Sequence, residues 1–262
     1  MPQAVVLTAI FNTQWPAASR SGHRRQTATA SAVVPIAFIV PTMPLKIPRA
    51  ILFDLDGTLA DTAPDLAEAV NQLRAERGLE PTPYEQLRPV ASAGARGLIG
   101  AAFGIKPDDA EYEDLRVRFL NNYEAKLVVK SKLFDGVSDL LKQLEARGLA
   151  WGIVTNKASR FTDPLVPQIG LGHAGCVVSG DTTPHTKPHP APLYEAANRL
   201  QLAADECWYV GDDLRDIQAG RAAGMQTIAA AWGYCGHVAP ASWEADALLH
   251  DPMQLLELIK PE

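Results

Sequence analysis

The feature that most constrains the fold is an unbroken apolar run, Ala50-Ile51-Leu52-Phe53, followed directly by Asp54-Leu55-Asp56-Gly57-Thr58-Leu59. An apolar run without alternation is typical of a strand buried on both faces of a parallel sheet. The two aspartates then lie at the carboxyl end of that strand, the edge where open α/β sheets bind ligands. Because residues two apart in an extended segment project from one face, Asp54 and Asp56 can serve one site.

Two carboxylates this close repel each other and resist burial, so the Asp54 and Asp56 pair indicates a bound cation. Hard oxygen ligands of this kind favour Mg2+. A solvated turn of the Asp-x-Asp-Gly type is the alternative that these residues alone leave open.

The rest of the chain alternates between helix and strand patterns, with one interruption. After Leu59, helical patterns run through residues 64–77, a stretch from Tyr84, and residues 95–103 and 108–128, with no strand-like run until Ala150. Farther along, helices are predicted over 137–147, 158–168, 192–200 and 216–223, and strands over 150–155, 176–178, 207–210 and 226–231. The pattern predicts an α/β fold, a doubly wound (Rossmann-like) parallel sheet core with an inserted all-helical cap domain. We expect residues 50–65 and 134–262 to form the core and residues 66–133 the cap, which then covers the aspartates.

Composition is typical of a globular enzyme. The chain has 262 residues, of which 47% are hydrophobic and 21% charged, and a formal net charge of −6. That charge argues against a nucleic-acid partner, and no region requires a membrane. The three cysteines do not have metal-ligand spacing, which favours reduced thiols and a cytoplasmic location. The sequence gives no sign of an obligate protein partner.

The first 49 residues differ in composition from the remainder. They contain five Lys or Arg and no Asp or Glu, so all 30 acidic residues fall beyond them. Arg24-Arg25 ahead of the apolar residues 32–40 is reminiscent of a targeting segment, but no small-residue cleavage pattern follows. We expect a disordered extension or a wrongly assigned start, with Met43 as a natural alternative start.

Three further predicted strand ends carry polar residues that suit a phosphate. Thr155 and Asn156 end one strand, where a hydroxyl and backbone amides at a helix start can bind anionic oxygens. Lys187 lies close to two prolines and could place an ammonium on a phosphoryl oxygen. The segment 211–216 supplies acids for the same cation. Each has a simpler interpretation in isolation, as a helix cap, a surface lysine and an acidic loop.

Taken together and in this order, the four stretches resemble the motifs of the haloacid dehalogenase (HAD) superfamily of phosphatases, over about residue 50 to the end of the chain. In that family the first aspartate is the nucleophile and the second the general acid/base. The resemblance therefore implies that Asp54 attacks phosphorus to give an aspartyl-phosphate and that Asp56 moves the protons. Lys187 completes the catalytic set, and Thr155 and Asn156 bind the phosphate.

The same resemblance implies Mg2+ held by Asp54, by the backbone carbonyl of Asp56 and by Asp212. Asp213 and Asp216 are expected to support these ligands or to reach the metal through water.

The helical insert matches the cap of the phosphoglycolate phosphatase branch. Within that branch the chain resembles the bacterial N-acetylmuramic acid 6-phosphate phosphatases, through residues 94–96, 131–136, 154–157 and 211–217. This implies a small phosphorylated metabolite as substrate, with N-acetylmuramic acid 6-phosphate from cell-wall sugar recycling as the best candidate and 2-phosphoglycolate as the alternative. A sugar-phosphate mutase with the same aspartates is the alternative from another class.

Both candidate substrates carry a carboxylate besides the phosphate, so a cap arginine would help to bind either of them. Arg96, between Gly94 and Gly97, is the candidate. An arginine on a solvated helix face is the alternative for this residue.

Overall fold

The computed structural model describes residues 45–259. The predicted extension, residues 1–49, and the alternative start at Met43 therefore lie outside the described residues, except for residues 45–49. These five pack against the sheet, because the Lys46 carbonyl accepts a hydrogen bond from Trp208 Nε1 (2.9 Å) and the Arg49 N–H donates to the Glu206 carbonyl (2.8 Å). The part of the chain that contacts the sheet thus begins before the first strand.

The central sheet has six strands, all parallel. They are β1 (Ala50–Phe53), β4 (Ala150–Val154), β5 (Val177–Val178), β6 (Cys207–Gly211), β7 (Gln226–Ala230) and β8 (Ala247–Leu249). Two short strands, β2 (Ala60–Asp61) and β3 (Lys132–Leu133), form a separate antiparallel pair. The order in the large sheet is β5-β4-β1-β6-β7-β8.

Strand β1 lies between β4 and β6, with Phe53 opposite Ile153 on one side and Val210 on the other. The sheet therefore grows outward from β1 in both directions. Open α/β sheets bind their ligands beyond the carboxyl ends of the strands at such a switch point. The doubly wound parallel sheet predicted from the sequence is confirmed, and Asp54 follows its central strand.

Helices cover both faces of the sheet. Alternate residues of β1 serve the two faces: Ala50 and Leu52 belong to one buried cluster, Ile51 and Phe53 to the other. The helices outside the insert are α5 (Val137–Ala146), α6 (Ser159–Gln168), α7 (Ala191–Arg199), α8 (Leu214–Ala222) and α9 (Leu255–Leu258). Among residues 45–259, none of the helices is long and apolar enough to cross a lipid bilayer.

The helical insert lies between β2 and β3. It consists of α1 (Ala63–Glu76), α2 (Tyr84–Leu87), a 3-10 segment (Arg88–Ala93), α3 (Gly94–Phe103) and α4 (Tyr112–Ala125). Helices α1 and α4 pack together, and Leu73 and Phe119 are buried in their common core. Because β2 pairs with β3, the chain leaves the sheet layer and returns to it at one place. The predicted all-helical insert is confirmed, and its limits at residues 66 and 133 stay a prediction.

Candidate active site

Gly57 shapes the turn that follows β1. Its φ of +91° lies in the left-handed region that favours glycine, and a Cβ added here would lie 2.2 Å from Asp212 Oδ2. Glycine therefore allows both the turn and the close approach of Asp212. The Asp54 N–H donates to the Val210 carbonyl (2.9 Å), which keeps Asp54 in register with β6.

Three buried carboxylates meet at the carboxyl ends of β1 and β6. Asp54, Asp212 and Asp216 each offer one oxygen to a group in which all these atoms lie within 4.8 Å of one another. Asp212 accepts hydrogen bonds from Thr58 Oγ1 (2.9 Å) and from the Tyr234 N–H (2.9 Å). These donors fix one carboxylate of the cluster without neutralising its charge.

One buried ammonium, that of Lys187, lies against this cluster. Lys187 Nζ donates to the Val154 carbonyl (3.0 Å), to the Tyr209 hydroxyl (2.8 Å) and to Asp216 Oδ1 (2.7 Å). Those partners use its three N–H groups. Asp54 Oδ1 lies 2.8 Å from the same nitrogen and forms an ion pair with it.

The electrostatics of the cluster favour a bound cation. Burial raises the pKa of Asp54 to about 7, although Lys187 lowers it, and the charge of Asp216 raises it further. Burial also raises the pKa of Asp212 well above its ordinary value, and the charges of Asp54 and Asp216 add to that effect. Three buried carboxylates thus share one ammonium, that of Lys187. A site of buried carboxylate oxygens with excess negative charge fits a divalent metal ion.

The carboxylate of Asp56 lies apart from the three clustered acids. Lys157 Nζ donates to Asp56 Oδ1 (2.9 Å), and the Thr62 hydroxyl donates to the same oxygen. Lys157 also lies over the ring of Tyr123, 4.7 Å from its centroid. Burial lowers the pKa of Lys157, but the charge of Asp56, the interaction with Tyr123 and the hydrogen bonds to both together outweigh burial and keep the pKa above its ordinary value. Lys157 is therefore an ammonium that holds the second aspartate in place.

The predicted phosphate-binding residues Thr155 and Asn156 lie beside these groups. Thr155 Oγ1 accepts a hydrogen bond from the Lys157 N–H (3.1 Å). Asn156 makes two hydrogen bonds with the backbone of Lys187, because its Nδ2 donates to the carbonyl (3.0 Å) and its Oδ1 accepts from the N–H (2.9 Å). Asn156 thus connects the loop after β4 to the loop that carries Lys187.

A cavity of about 530 Å³ opens beside the two aspartates. Residues of the insert and residues at the sheet edge line it together, and Arg215 Nη2 donates to the Ser92 carbonyl of the insert (2.8 Å). Most of the predicted site residues line this one cavity: Asp54, Asp56, Thr155, Asn156 and Lys187. Asp213 and Asp216 line it as well.

Two predicted site residues are not among those that line the cavity. Asp212 is fully buried and joins the site through the acid cluster. Arg96 is exposed, and the structure does not bring it together with the other predicted residues.

Comparison with known proteins decides the family. Residues 51–230, more than half of the chain, match the profile of the family described as Haloacid dehalogenase-like hydrolase. The chain belongs to this family. HAD phosphatases generally use a divalent metal, in agreement with the buried acid cluster.

Related proteins narrow the family to phosphatases. A protein of Xanthomonas campestris pv. campestris named phosphoglycolate phosphatase is 49% identical over 215 residues, which cover 81% of this chain and 97% of that protein. A Pseudomonas aeruginosa protein named N-acetylmuramic acid 6-phosphate phosphatase is 41% identical over 213 residues, covering 80% of this chain and 94% of that protein. The crystal structure of a predicted phosphoglycolate phosphatase from Haemophilus somnus has a TM-score of 0.72 at 26% identity and covers 82% of this chain and 100% of that one. This chain is thus a HAD-like phosphatase, a phosphoric monoester hydrolase.

Sequence reasoning assigned no role to four cationic residues that line the cavity of this HAD phosphatase: Arg116, Lys157, Arg160 and Arg215. Lys157 follows Thr155 and Asn156 directly, and that proximity is a signal that could have identified it. Arg116 on α4 and Arg160 on α6 carry no such signal, because an arginine on a helix is most often a solvated surface residue.

Proposed function

We propose that this phosphatase hydrolyses a small carboxylate-bearing phosphomonoester in a Mg2+-dependent reaction, and that N-acetylmuramic acid 6-phosphate is its substrate. The observation that carries the proposal is a cavity of about 530 Å³ that holds both aspartates and several cationic side chains. Such a volume is typical of pockets for ligands the size of a phosphorylated amino sugar. The name of the Pseudomonas aeruginosa relative supports the same substrate.

The second candidate is 2-phosphoglycolate. The name of the Xanthomonas campestris relative, which has the higher identity, favours it. This molecule also carries a carboxylate, but it is much smaller and would leave most of the cavity to water. The volume of the cavity is the reason for our preference.

Asp54 is the proposed nucleophile and Asp56 the proposed acid and base. Phosphate monoesters hydrolyse so slowly unaided that the enzyme must lower the barrier by about 20 kcal/mol or more. Attack of the Asp54 carboxylate on phosphorus forms an aspartyl-phosphate while Asp56 gives a proton to the leaving oxygen. Asp56, now a carboxylate, then takes a proton from the water that releases phosphate.

The remaining residues of the centre neutralise and position the phosphoryl group. Burial lowers the pKa of Lys187, but its charge interactions and hydrogen bonds with Asp216 and Asp54 together outweigh burial and keep the pKa above its ordinary value, so that its ammonium persists. Asp54, Asp212 and the backbone carbonyl of Asp56 would hold Mg2+, which when bound neutralises charge that develops on the transferring group. Thr155 and Asn156 offer polar groups beside this position.

We propose the insert, residues 66–133, as a cap that shields the aspartyl-phosphate from bulk water and selects the substrate, while residues 50–65 and 134–262 form the catalytic core. The helices of the insert contribute a large part of the cavity wall, which supports this division. Closure over a reactive intermediate limits side reactions.

We also propose a cytoplasmic location. The three cysteines, Cys176, Cys207 and Cys235, are free thiols, as expected in a reducing compartment. Burial raises the pKa of each to about 11, so these thiols are weak nucleophiles and suit a role as packing residues.

Release of free phosphate from a side-by-side panel tests the proposed function. With Mg2+ present, we expect kcat/KM for N-acetylmuramic acid 6-phosphate to exceed that for 2-phosphoglycolate by about tenfold or more, since the sugar would bury surface in the part of the cavity that 2-phosphoglycolate leaves to water, and about 1.4 kcal/mol of such burial is tenfold. The opposite order would favour 2-phosphoglycolate. Formation of an isomeric sugar phosphate without free phosphate would indicate a mutase instead.

A further inference from the structure

The cavity has more cationic side chains than the catalytic centre uses. Five of them line it: Arg116, Lys157, Arg160, Lys187 and Arg215. Three pair with aspartates at the sheet edge. Lys157 binds Asp56 at 2.9 Å, Lys187 binds Asp216 at 2.7 Å and Asp54 at 2.8 Å, and Arg215 binds Asp213 at 2.7 Å.

The fourth cation, Arg116, is held within its own helix. Its Nε and Nη2 donate to the two carboxylate oxygens of Glu113 at 2.8 and 2.9 Å. This bidentate contact already occupies the edge of the guanidinium that would receive a carboxylate from a ligand. Binding a second anion there would require the contact with Glu113 to open.

The fifth cation, Arg160, has no carboxylate partner among residues 45–259. Its guanidinium lies over the ring of the adjacent Phe161, 4.4 Å from the centroid. This contact with the ring uses none of the carboxylate oxygens of the described residues, and a guanidinium without a carboxylate partner can bind a carboxylate of a ligand in a bidentate way. Arg160 is therefore a cation of the cavity wall that no carboxylate of residues 45–259 neutralises.

The position of Arg160 separates it from the reacting atoms. It is exposed whereas Asp54 and Lys187 are buried, so it lies toward the solvent side of the cavity. Yet it follows Asn156 and Lys157 by only a few residues, at the start of α6. Because Asp54 and Arg160 line the same cavity, we expect a substrate whose phosphate reaches Asp54 to direct a second anionic group toward Arg160.

We infer that Arg160 is the residue that binds the carboxylate of the substrate and sets the preference for carboxylate-bearing phosphomonoesters. This inference rests on the proposed function. It assigns recognition of the substrate's carboxylate to the catalytic core, at the start of α6, and not to the insert. It differs from the expectation drawn from the sequence, in which Arg96 of α3 has this role.

The test compares substrates that differ in the carboxylate. N-acetylmuramic acid 6-phosphate and N-acetylglucosamine 6-phosphate form one pair, because the second sugar lacks the lactyl acid. 2-Phosphoglycolate and ethyl phosphate form the other. The pair that contains the better substrate of the wild type is used. In that pair, Arg160→Gln should lower kcat/KM for the carboxylate-bearing substrate about tenfold. The variant should change kcat/KM for the carboxylate-free substrate by less than about threefold. Arg160→Lys should recover part of the loss, since it keeps the charge but not the fork of donors.

Two further variants make the result specific. Arg147→Gln is the control. It removes an exposed arginine of the catalytic core region that does not line the cavity, so the kinetics of this variant should match those of the wild type on both members of a pair. Arg116→Gln should alter the selectivity less than Arg160→Gln does. Thermal midpoints of all variants, measured in parallel, report whether each one folds.

The outcomes separate this inference from the proposed function. A wild type that hydrolyses a carboxylate-bearing substrate, with an Arg160→Gln variant of unchanged selectivity, would overturn the inference and leave the function intact. Equal losses on both members of a pair, or a selective loss in Arg116→Gln or Arg96→Gln instead, would overturn it as well. If the wild type releases phosphate from neither acid, both proposals are wrong.

Discussion

Asp54 ends the central strand, and its carboxylate is the proposed nucleophile. Asp54→Asn should abolish turnover, because an amide cannot attack phosphorus as a carboxylate does. The variant should still fold, since the amide keeps the shape of the side chain and the backbone hydrogen bond to Val210 is unaffected. Free-phosphate release and circular dichroism check the two halves of this prediction. Turnover within about tenfold of the wild type would contradict the proposed mechanism.

Lys157 shows the limits of residue-level reasoning from sequence. The spacing of Asp54 and Asp56 after a buried apolar run pointed to chemistry directly, whereas Lys187 was assigned through the family resemblance, since in isolation it fits a surface lysine. The position of Lys157 directly after Thr155 and Asn156 marks it as a candidate, but its partner Asp56 lies about a hundred positions away, and no local pattern reveals that contact. The same reason explains why Arg160 went unnoticed while Arg96 drew attention.

Lys157→Met tests that contact. Removing the ammonium leaves Asp56 half-buried without its cation, and breaking one partner of a buried pair costs about 3–5 kcal/mol at most. We expect a lower free energy of unfolding. We also expect a fall in kcat that exceeds the change in KM, because the substitution displaces Asp56 and leaves the binding site for the substrate in place. A fall confined to KM would assign Lys157 to substrate binding instead.

Among the elements, the longer helices and five strands of the large sheet were predictable, whereas β2, β3 and β8 were not. The predicted strand over 150–155 and the helix over 95–103 correspond to β4 and α3 within a residue or two. The antiparallel pair of β2 and β3 was missed, because each strand has only two residues and includes a charged one, unlike the equally short apolar β5. Strand β8 lies beyond the last predicted strand, and only its pairing with β7 defines it.

The turn after β1 allows a matched test at this scale. Gly57→Ala and Gly78→Ala both place a Cβ at positive φ, +91° and +66° respectively, which costs about 1–2 kcal/mol in either case. Only the Cβ at Gly57 collides with Asp212, whereas the Cβ at Gly78 meets nothing within 4 Å. We expect Gly57→Ala to lose about a hundredfold or more in kcat/KM and Gly78→Ala to keep its activity at reduced stability. Similar activities for the two variants would show that the approach of Asp212 to the turn is unimportant.

For the whole molecule, the place where the fold begins is open to a truncation test. Removal of residues 1–42 should change neither the thermal midpoint nor turnover, because the described contacts with the sheet start at residues 45–49. Removal of residues 1–49 should lower the midpoint, since it also deletes the hydrogen bonds from Trp208 to Lys46 and from Arg49 to Glu206. A lower midpoint or turnover after the shorter deletion would mean that the first 42 residues contribute to the folded enzyme.

The acid cluster also determines how the stability of the whole molecule responds to pH. Burial raises the pKa of Asp54 from 3.8 to about 7, so between these values the folded state binds a proton that the unfolded state has released. The free energy of unfolding of the metal-free protein therefore falls as pH rises through this window, and the raised pKa of Asp212 acts with the same sign. Carboxyls with lowered pKa, such as Asp213, contribute only below about pH 4, and the raised pKa of Lys187 matters above about pH 10.

Metal-free protein should consequently melt at a lower temperature at pH 8 than at pH 5, and Mg2+ should raise the midpoint more at pH 8, because it binds the ionised carboxylates. Asp54→Asn, which removes one of the repelling charges, should raise the midpoint of the metal-free protein at pH 8 by about 2 °C or more and reduce the stabilisation by Mg2+. Thermal melts of both proteins in chelator and in Mg2+ at the two pH values give all of these quantities. If the metal-free wild type is equally stable at the two pH values, and if Mg2+ stabilises it equally at both, the cluster neither titrates in this range nor holds the metal.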